Sequence, residues 1–266
     1  MNEELKHITK WFNANKLSLN TGKTKYTFFH KSKKRYDIPL RLPLLKINGY
    51  VIERQSSIKF LGVLLDETLS WKDHISIIET KIAKNIGLLY KAKNFVNEEC
   101  LKQLYFAYIH SYLSYANIAW ASTHKSKLKK LISQQKQACR IIFREPRLAH
   151  AQPLLKTLRA LNLFQINIYQ TVLLMHKVEN NDAPAIFNDK FRRPNHQYPT
   201  TFSQSNNFIV PRKKLRSSDF TISSRGPQLW NHYVSKSEKS IKSFALFKKK
   251  IKASILNIEK CSSYFL

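Results

Sequence analysis

The spacing of apolar residues changes at Trp71, and this change rules out one repeating architecture for the whole chain. Upstream, apolar runs are short and punctuated by turn residues. Residues 26–30 (YTFFH) predict a strand, with a basic loop at 31–35. Runs at 44–47 and 50–53 flank Asn48-Gly49, a dipeptide that predicts a tight hairpin because both residues tolerate positive φ. Residues 58–65 predict a further, largely buried strand. Ahead of all these, Leu5, Ile8 and Phe12 recur at helical spacing, and that pattern ends near Asn13.

Downstream the period is helical. Ile75, Ile78, Ile82, Ile86 and Leu89 share one face of a helix over 74–95. Asn97 is placed to cap the next helix, with Glu98 and Glu99 in the turn where they complement its dipole. That helix runs through Leu101, Leu104, Tyr105, Tyr108 and Tyr112 towards Trp120. The row Tyr105, Tyr108, Tyr112 and Tyr115 is read as a core stripe rather than a base-stacking platform. Further helices are predicted at 126–143, 153–161 and 163–179. Residues 182–225 have weak periodicity and read as an extended, wrapping linker. A Lys-rich amphipathic helix follows at 241–258, with Phe244, Phe247, Ile251 and Ile255 on its apolar side. The expected fold class is therefore α+β: a small antiparallel β piece, then a mostly α-helical part. Its segments are 1–72, 73–181 and a basic linker and tail at 182–266.

Charge constrains the partner. Lys and Arg number 46 against 17 Asp and Glu, a formal net charge of +29. A globule with that surplus repels itself, and a polyanion relieves the repulsion while releasing its own counterions. RNA or DNA is the favoured partner over a membrane, because apolar runs such as 60–65 are far short of the roughly 20 residues a spanning helix needs. The acidic, amphipathic start reads as neither a secretory signal nor a transit peptide. Cys100, Cys139 and Cys261 form no CxxC pair and the histidines are scattered, so a reducing compartment and no Cys/His metal site are expected.

Three motifs carry a resemblance. Trp11-Phe12-Asn13-Ala14-Asn15-Lys16-Leu17-Ser18-Leu19-Asn20, then Lys23-Thr24, resembles the "W…N-L-LN-KT" segment of jockey-like and LINE-like reverse transcriptases of non-LTR retrotransposons. Ile58-Lys59-Phe60-Leu61-Gly62-Val63, with Leu65-Asp66, Leu69, Trp71 and His74-Ile75, is similar to their "FLGV-LD-L-W-HI" motif. Gly226-Pro227-Gln228-Leu229-Trp230-Asn231, then Phe247-Lys248, is similar to their "GP-LWN…FK" tail. The motifs stand in the family's order across nearly the whole chain.

The resemblance implies a right-hand polymerase whose palm holds two Mg²⁺ ions on aspartates, stabilising both oxygens of phosphoryl transfer. The family's aromatic-Ala-Asp-Asp hairpin lies upstream of the helix that opens this chain. No Asp-Asp pair occurs here, and Asp66-Glu67 and Glu98-Glu99 cannot replace three converging carboxylates. The implied parts are distal palm with primer grip over 1–72, helical thumb over 73–181, then the tail. No cofactor is expected in this chain; Mg²⁺ belongs to the complete polymerase. Phe60, Leu61 and Gly62 would form the primer grip, with a bulge or core-packing role as the plainer reading of Gly62. Lys23 would take the position of a lysine that aids pyrophosphate departure, or else be a solvated turn lysine.

Lys81, Lys84 and Lys91 on the thumb helix would neutralise phosphates of a template–primer duplex. Arg212, Lys213, Lys214 and Arg216, with Lys248, Lys249 and Lys250, are the densest basic runs. Phosphate contact, nuclear import and a solvated face all remain open for them. Trp230 is read as a hydrophobic anchor for the tail. The family's chromosomal target implies an intracellular, nuclear location. Two further readings stand beside an inactive polymerase fragment: a host-retained, non-enzymatic nucleic-acid-binding or scaffold protein, and the translation of a decayed copy.

Overall fold

The computed structural model describes residues 1–30, 44–187, 189–194, 205–212 and 220–258. The chain divides into two compact units, Met1–His74 and Ile75–Leu266. It is mostly helical with a few small strand pairs, an α+β composition.

In the first unit, α1 (Asn2–Ala14) packs beside a hairpin of β2 (Lys46–Ile47) and β3 (Tyr50–Val51). Asn48 and Gly49 have φ of 52° and 80°, the conformation expected of a two-residue turn that matches strand twist. Asn2 fixes the edge of β2: its Nδ2 donates to the Leu44 carbonyl at 3.1 Å, and its Oδ1 accepts from the Lys46 N–H at 3.1 Å. Leu45, Ile47 and Ile52 form the small core, with Leu5, Leu19 and Tyr26 against it.

Two strand expectations are corrected here. The run at 26–30 yields only β1 (Lys25–Tyr26), which pairs in parallel with β4 (Glu53–Arg54), so the β piece is not wholly antiparallel. Residues 58–65 are not one buried strand. They fold back as β5 (Ser57–Phe60) and β6 (Val63–Asp66), antiparallel, with Phe60 opposite Val63. An apolar run cannot reveal a reversal when its turn residues, Leu61 and Gly62, include a leucine forced to φ 44°.

Beyond β6, Asp66 organises the chain. Its Oδ1 accepts from Thr68 Oγ1 at 2.6 Å and from the Thr68 and Ser70 N–H groups, and its Oδ2 accepts from the Trp71 N–H at 2.9 Å. Burial alone pushes this carboxyl up; the hydrogen bonds together outweigh it and hold it below its ordinary range. The loop also holds Leu69 and Trp71 at φ 50° and 63°. His74 Nδ1 accepts from the Leu64 N–H at 3.3 Å, joining the strand to the start of α2 (Lys72–Ala92). The spacing Asp66, Leu69, Trp71, His74 is thus a strand-to-helix connector.

In the second unit, Ile75, Ile78, Ile82, Ile86 and Leu89 of α2 are all buried, as their period requires. Asn97 caps α3 (Glu98–Tyr105), accepting from the Cys100 N–H at 2.9 Å. The helix expected to run from there to Trp120 is interrupted twice. A π-helical turn spans Phe106–His110, α4 covers Ser111–Ser114, and left-handed Ala116 (φ 50°) separates it from α5 (Asn117–Trp120). The interruption has a packing reason. Leu101, Tyr105, Ile109 and Leu113, spaced by four, are all fully buried. Four residues overshoot an α-turn by about 40°, and one widened turn restores the face. The tyrosine row is consequently not a core stripe: Tyr105 is buried, whereas Tyr108 and Tyr115 are exposed and Tyr112 half-buried.

Next come α6 (Lys125–Ile142), α7 (Ala151–Thr157) and α8 (Leu163–Glu179). The last is buried on almost every side at its N-terminal half, which makes it the central helix. Against it pack α9 (Ile222–Tyr233) and α11 (Phe244–Leu256), with the short α10 (Lys236–Lys239) between them. Gly226 allows close approach of α9, because a Cβ there would lie 2.6 Å from Met175 Sδ. Trp230 and Phe247 are fully buried, their rings 6.0 Å apart. Asn231 clips the wrapping segment: its Oδ1 accepts from the Phe208 N–H at 2.9 Å, and its Nδ2 donates to the Phe208 carbonyl at 2.8 Å.

Candidate nucleic-acid interface

An organised positive surface of the second unit lies along α6, a helix with six Lys or Arg and no Asp or Glu. Taking about 100° per residue, Lys125, Lys129, Lys136 and Arg140 fall within an arc of roughly 60°. That arc faces away from the buried stripe containing Leu128, Leu131 and Ala138. From first to last the cations span about 22 Å at 1.5 Å per residue. All four line a groove of about 760 Å³, together with Gln152 and Phe164, and among the described residues no lining residue is a carboxylate. Lys125, Lys129 and Lys136 are exposed; Arg140 is half-buried, and its Nε donates to the Ala149 carbonyl at 2.8 Å. Lys125 and Lys127 also sit in the first turn, where cations oppose the helix dipole. An anion along this face would offset that cost at Lys125 and the mutual repulsion of the four cations.

Beneath the groove, Gln135 holds three elements together. Its Nε2 donates to Tyr105 Oη at 2.9 Å and to the Leu161 carbonyl at 3.0 Å, while its Oε1 accepts from the Leu163 N–H at 3.0 Å. Burial pushes the Tyr105 hydroxyl well above its ordinary pKa, so it stays protonated. These bonds tie α3, the segment before α8 and α8 itself to α6 beneath the groove.

The residues singled out from sequence fall in several places. Phe60 and Leu61 are 60% and 76% exposed at the tip of the β5–β6 hairpin, and Gly62 takes φ 82° as the second turn residue. Gly62 is thus neither a bulge nor a core-packing glycine. Lys23 is exposed at a turn closed by Asn20, whose Oδ1 accepts from the Lys23 N–H at 3.0 Å. On α2, Lys84 and Lys91 lie about 20° apart on the side away from the core. Lys81, at the margin of that core, has its ammonium 5.1 Å from the centre of the Tyr112 ring. Arg212 is exposed; Lys213, Lys214 and Arg216 lie outside the described residues. Lys248, Lys249 and Lys250 are exposed on α11, where Lys248 and Lys249 line a cleft that also includes Lys252. Sequence reading missed Lys125, Lys129, Lys136 and Arg140. Their spacing of four, seven and four was the available signal, hidden because they form no dense run.

Asp66 serves the loop described above. Glu67 accepts from Arg54 Nη2 at 2.6 Å and lies 3.5 Å from His30 Nε2. Glu98 and Glu99 both pair with Lys102. Among the described residues, no group of three or more His, Cys, Asp or Glu could hold a metal ion, and no helix is long and apolar enough to cross a membrane. Comparison with protein-family profiles, curated proteins and solved structures finds no match to this chain.

Proposed function

We propose that this chain binds nucleic acid through backbone phosphates, as the distal palm, thumb and C-terminal portion of a non-LTR retrotransposon reverse transcriptase, without extending a primer by itself. One observation carries the binding half of this reading: four cations in register along α6, lining a groove with no carboxylate among the described residues. Such a stripe follows a phosphate backbone and reads no bases, so sequence preference is weak. The exposed ring of Phe60 beside Leu61 and Gly62 suits a surface that presses on a primer strand. Lys23, Lys81, Lys84 and Lys91 add positive charge in the roles the resemblance implies. The absence of an Asp-Asp pair from the sequence supports a chain that holds template–primer and leaves the Mg²⁺ chemistry to a complete polymerase. Template–primer as the partner supports an intracellular, nuclear location.

The test uses the purified full chain with labelled RNA–DNA hybrid and duplex DNA. Binding is expected to weaken steeply between 50 and 200 mM salt, by about two orders of magnitude for four phosphate contacts. No primer extension is expected with Mg²⁺ or Mn²⁺. Affinity indifferent to salt sinks the binding claim, and extension by the purified chain sinks the rest.

A further inference from the structure

A second cationic cleft, separate in its lining from the α6 groove, lies between the π-helical turn with α4, the central helix α8 and the tail helix α11. It encloses about 490 Å³, within the range of sites for small ligands. Lys248, Lys249 and Lys252 of α11 supply one wall, and among the described residues no lining residue is acidic. None of the three lysines makes an ion pair among the described residues. Lys250, their neighbour, lines no part of the cleft.

The opposite wall is built differently. His110 comes from the π-helical turn, whose widening turns Ile109 inwards and leaves the imidazole facing the cleft. Widened turns of this kind recur at functional sites. The His110 ring packs against Tyr105 and Phe106, at 6.0 and 5.3 Å between centres. Its Nδ1 is buried and finds no hydrogen-bond partner among the described residues. Burial, and then the Lys252 charge, push His110 down to about 4, so the ring is neutral at ordinary pH and can meet a ligand through an N–H or a lone pair.

The floor is apolar. Leu161, Ile166 and Tyr169 line it, and the Tyr169 hydroxyl donates a long hydrogen bond to the Lys248 carbonyl at 3.4 Å. Gln170 is fixed by donation from its Nε2 to the Ser114 carbonyl at 2.7 Å. A bare oxyanion would use the lysines and leave the floor unused; an uncharged aromatic would use the floor and leave three ammonium groups repelling one another. A phosphate carrying a nucleoside satisfies both walls. We infer that this cleft is a single-nucleotide site, in which Lys248, Lys249 and Lys252 take the phosphate opposite the His110 ring and the base lies over Tyr169. The nucleotide can come free in solution or as one residue of a single strand. The site is argued from its own walls and does not depend on what the α6 groove holds.

The experiment follows the His110 imidazole by NMR in the full chain, titrated with adenosine 5′-monophosphate, adenosine, inorganic phosphate and a single-stranded oligo-dA. The monophosphate and the oligonucleotide are expected to shift the His110 resonances, and adenosine to leave them unmoved. Inorganic phosphate should bind at least about tenfold more weakly than the monophosphate, since it forgoes the apolar floor. Tighter binding of the oligonucleotide marks a strand site, and equal binding marks a free-nucleotide site. Because replacing His110 risks the fold around the π-helical turn, the variants are K249Q and K252Q, at exposed or half-exposed positions. Each should weaken the monophosphate by about tenfold, the loss of one charge-assisted hydrogen bond. K129Q/K136Q in the α6 groove should leave the monophosphate titration unchanged. His110 signals indifferent to both nucleotide ligands would overturn the site, as would adenosine acting like its phosphate. Phosphate binding as tightly as the monophosphate would overturn the nucleoside half.

Discussion

Replacing Lys129 and Lys136 together with glutamine removes two of the four cations in the α6 groove. Both side chains are exposed, and glutamine has nearly the helix propensity of lysine, so folding should be undisturbed. If each cation of the stripe neutralises one phosphate of a duplex, four contacts give a slope of log K against log salt of about −3.6. A fourfold rise in salt, from 50 to 200 mM, then costs about 150-fold in affinity. With two contacts gone the slope falls to about −1.8 and the same rise costs about 12-fold. Contacts elsewhere would steepen both slopes equally, so the difference of about 1.8 isolates the groove. Fluorescence anisotropy with a labelled duplex at several salt concentrations measures it, and K84Q/K91Q on α2 is the comparison. A slope change under about 0.5 for the α6 pair would refute the groove reading. An equal change for both pairs would show that the charge acts diffusely.

Three other outcomes follow from the packing. Gln135→Leu leaves Tyr105 Oη, the Leu161 carbonyl and the Leu163 N–H unpaired in the interior, and should cost about 3–5 kcal/mol in urea unfolding; a loss under about 1 kcal/mol would show that these groups find other partners. Leu61→Gly relieves a leucine held at φ 44° and should raise stability by about 0.5–1 kcal/mol, read as a shift in the unfolding midpoint. The third outcome concerns pH. His110 is held at about 4 against an ordinary 6.5, so the unfolded chain binds the proton first. Its contribution is therefore complete above about 6.5, shrinks as pH falls through that value towards 4, and is gone below. Comparing urea midpoints of the parent and His110→Gln from pH 7 to pH 4 should show a steeper decline in the parent; parallel curves would exclude His110 as the source.

Local order was legible wherever short-range chemistry decides. The isoleucine row of α2, the Asn97 cap and the Asn48-Gly49 turn could be read directly, because each depends on residues within a turn or two of one another. The reversal at Leu61-Gly62 could not, since a leucine with positive φ is imposed by the pairing of β5 with β6 and not by its own preference. The tyrosine row misled for a related reason. Tyr105 packs inwards while Tyr108 and Tyr115 stay outside, because the buried stripe keeps a spacing of four across a π-helical turn.

Charge shows the same division. The sequence alone determined that this chain carries a surplus of +29 and no Asp-Asp pair, since both are properties of composition and order. Only the tertiary structure decided where that charge is organised. Lys125, Lys129, Lys136 and Arg140 line one groove because α6 turns its other side to the core, and Lys248, Lys249 and Lys252 face His110 because α11 packs on α8. Helical period fixes which residues share a face. What stands opposite that face is set by packing between segments far apart in the chain, which no local pattern encodes.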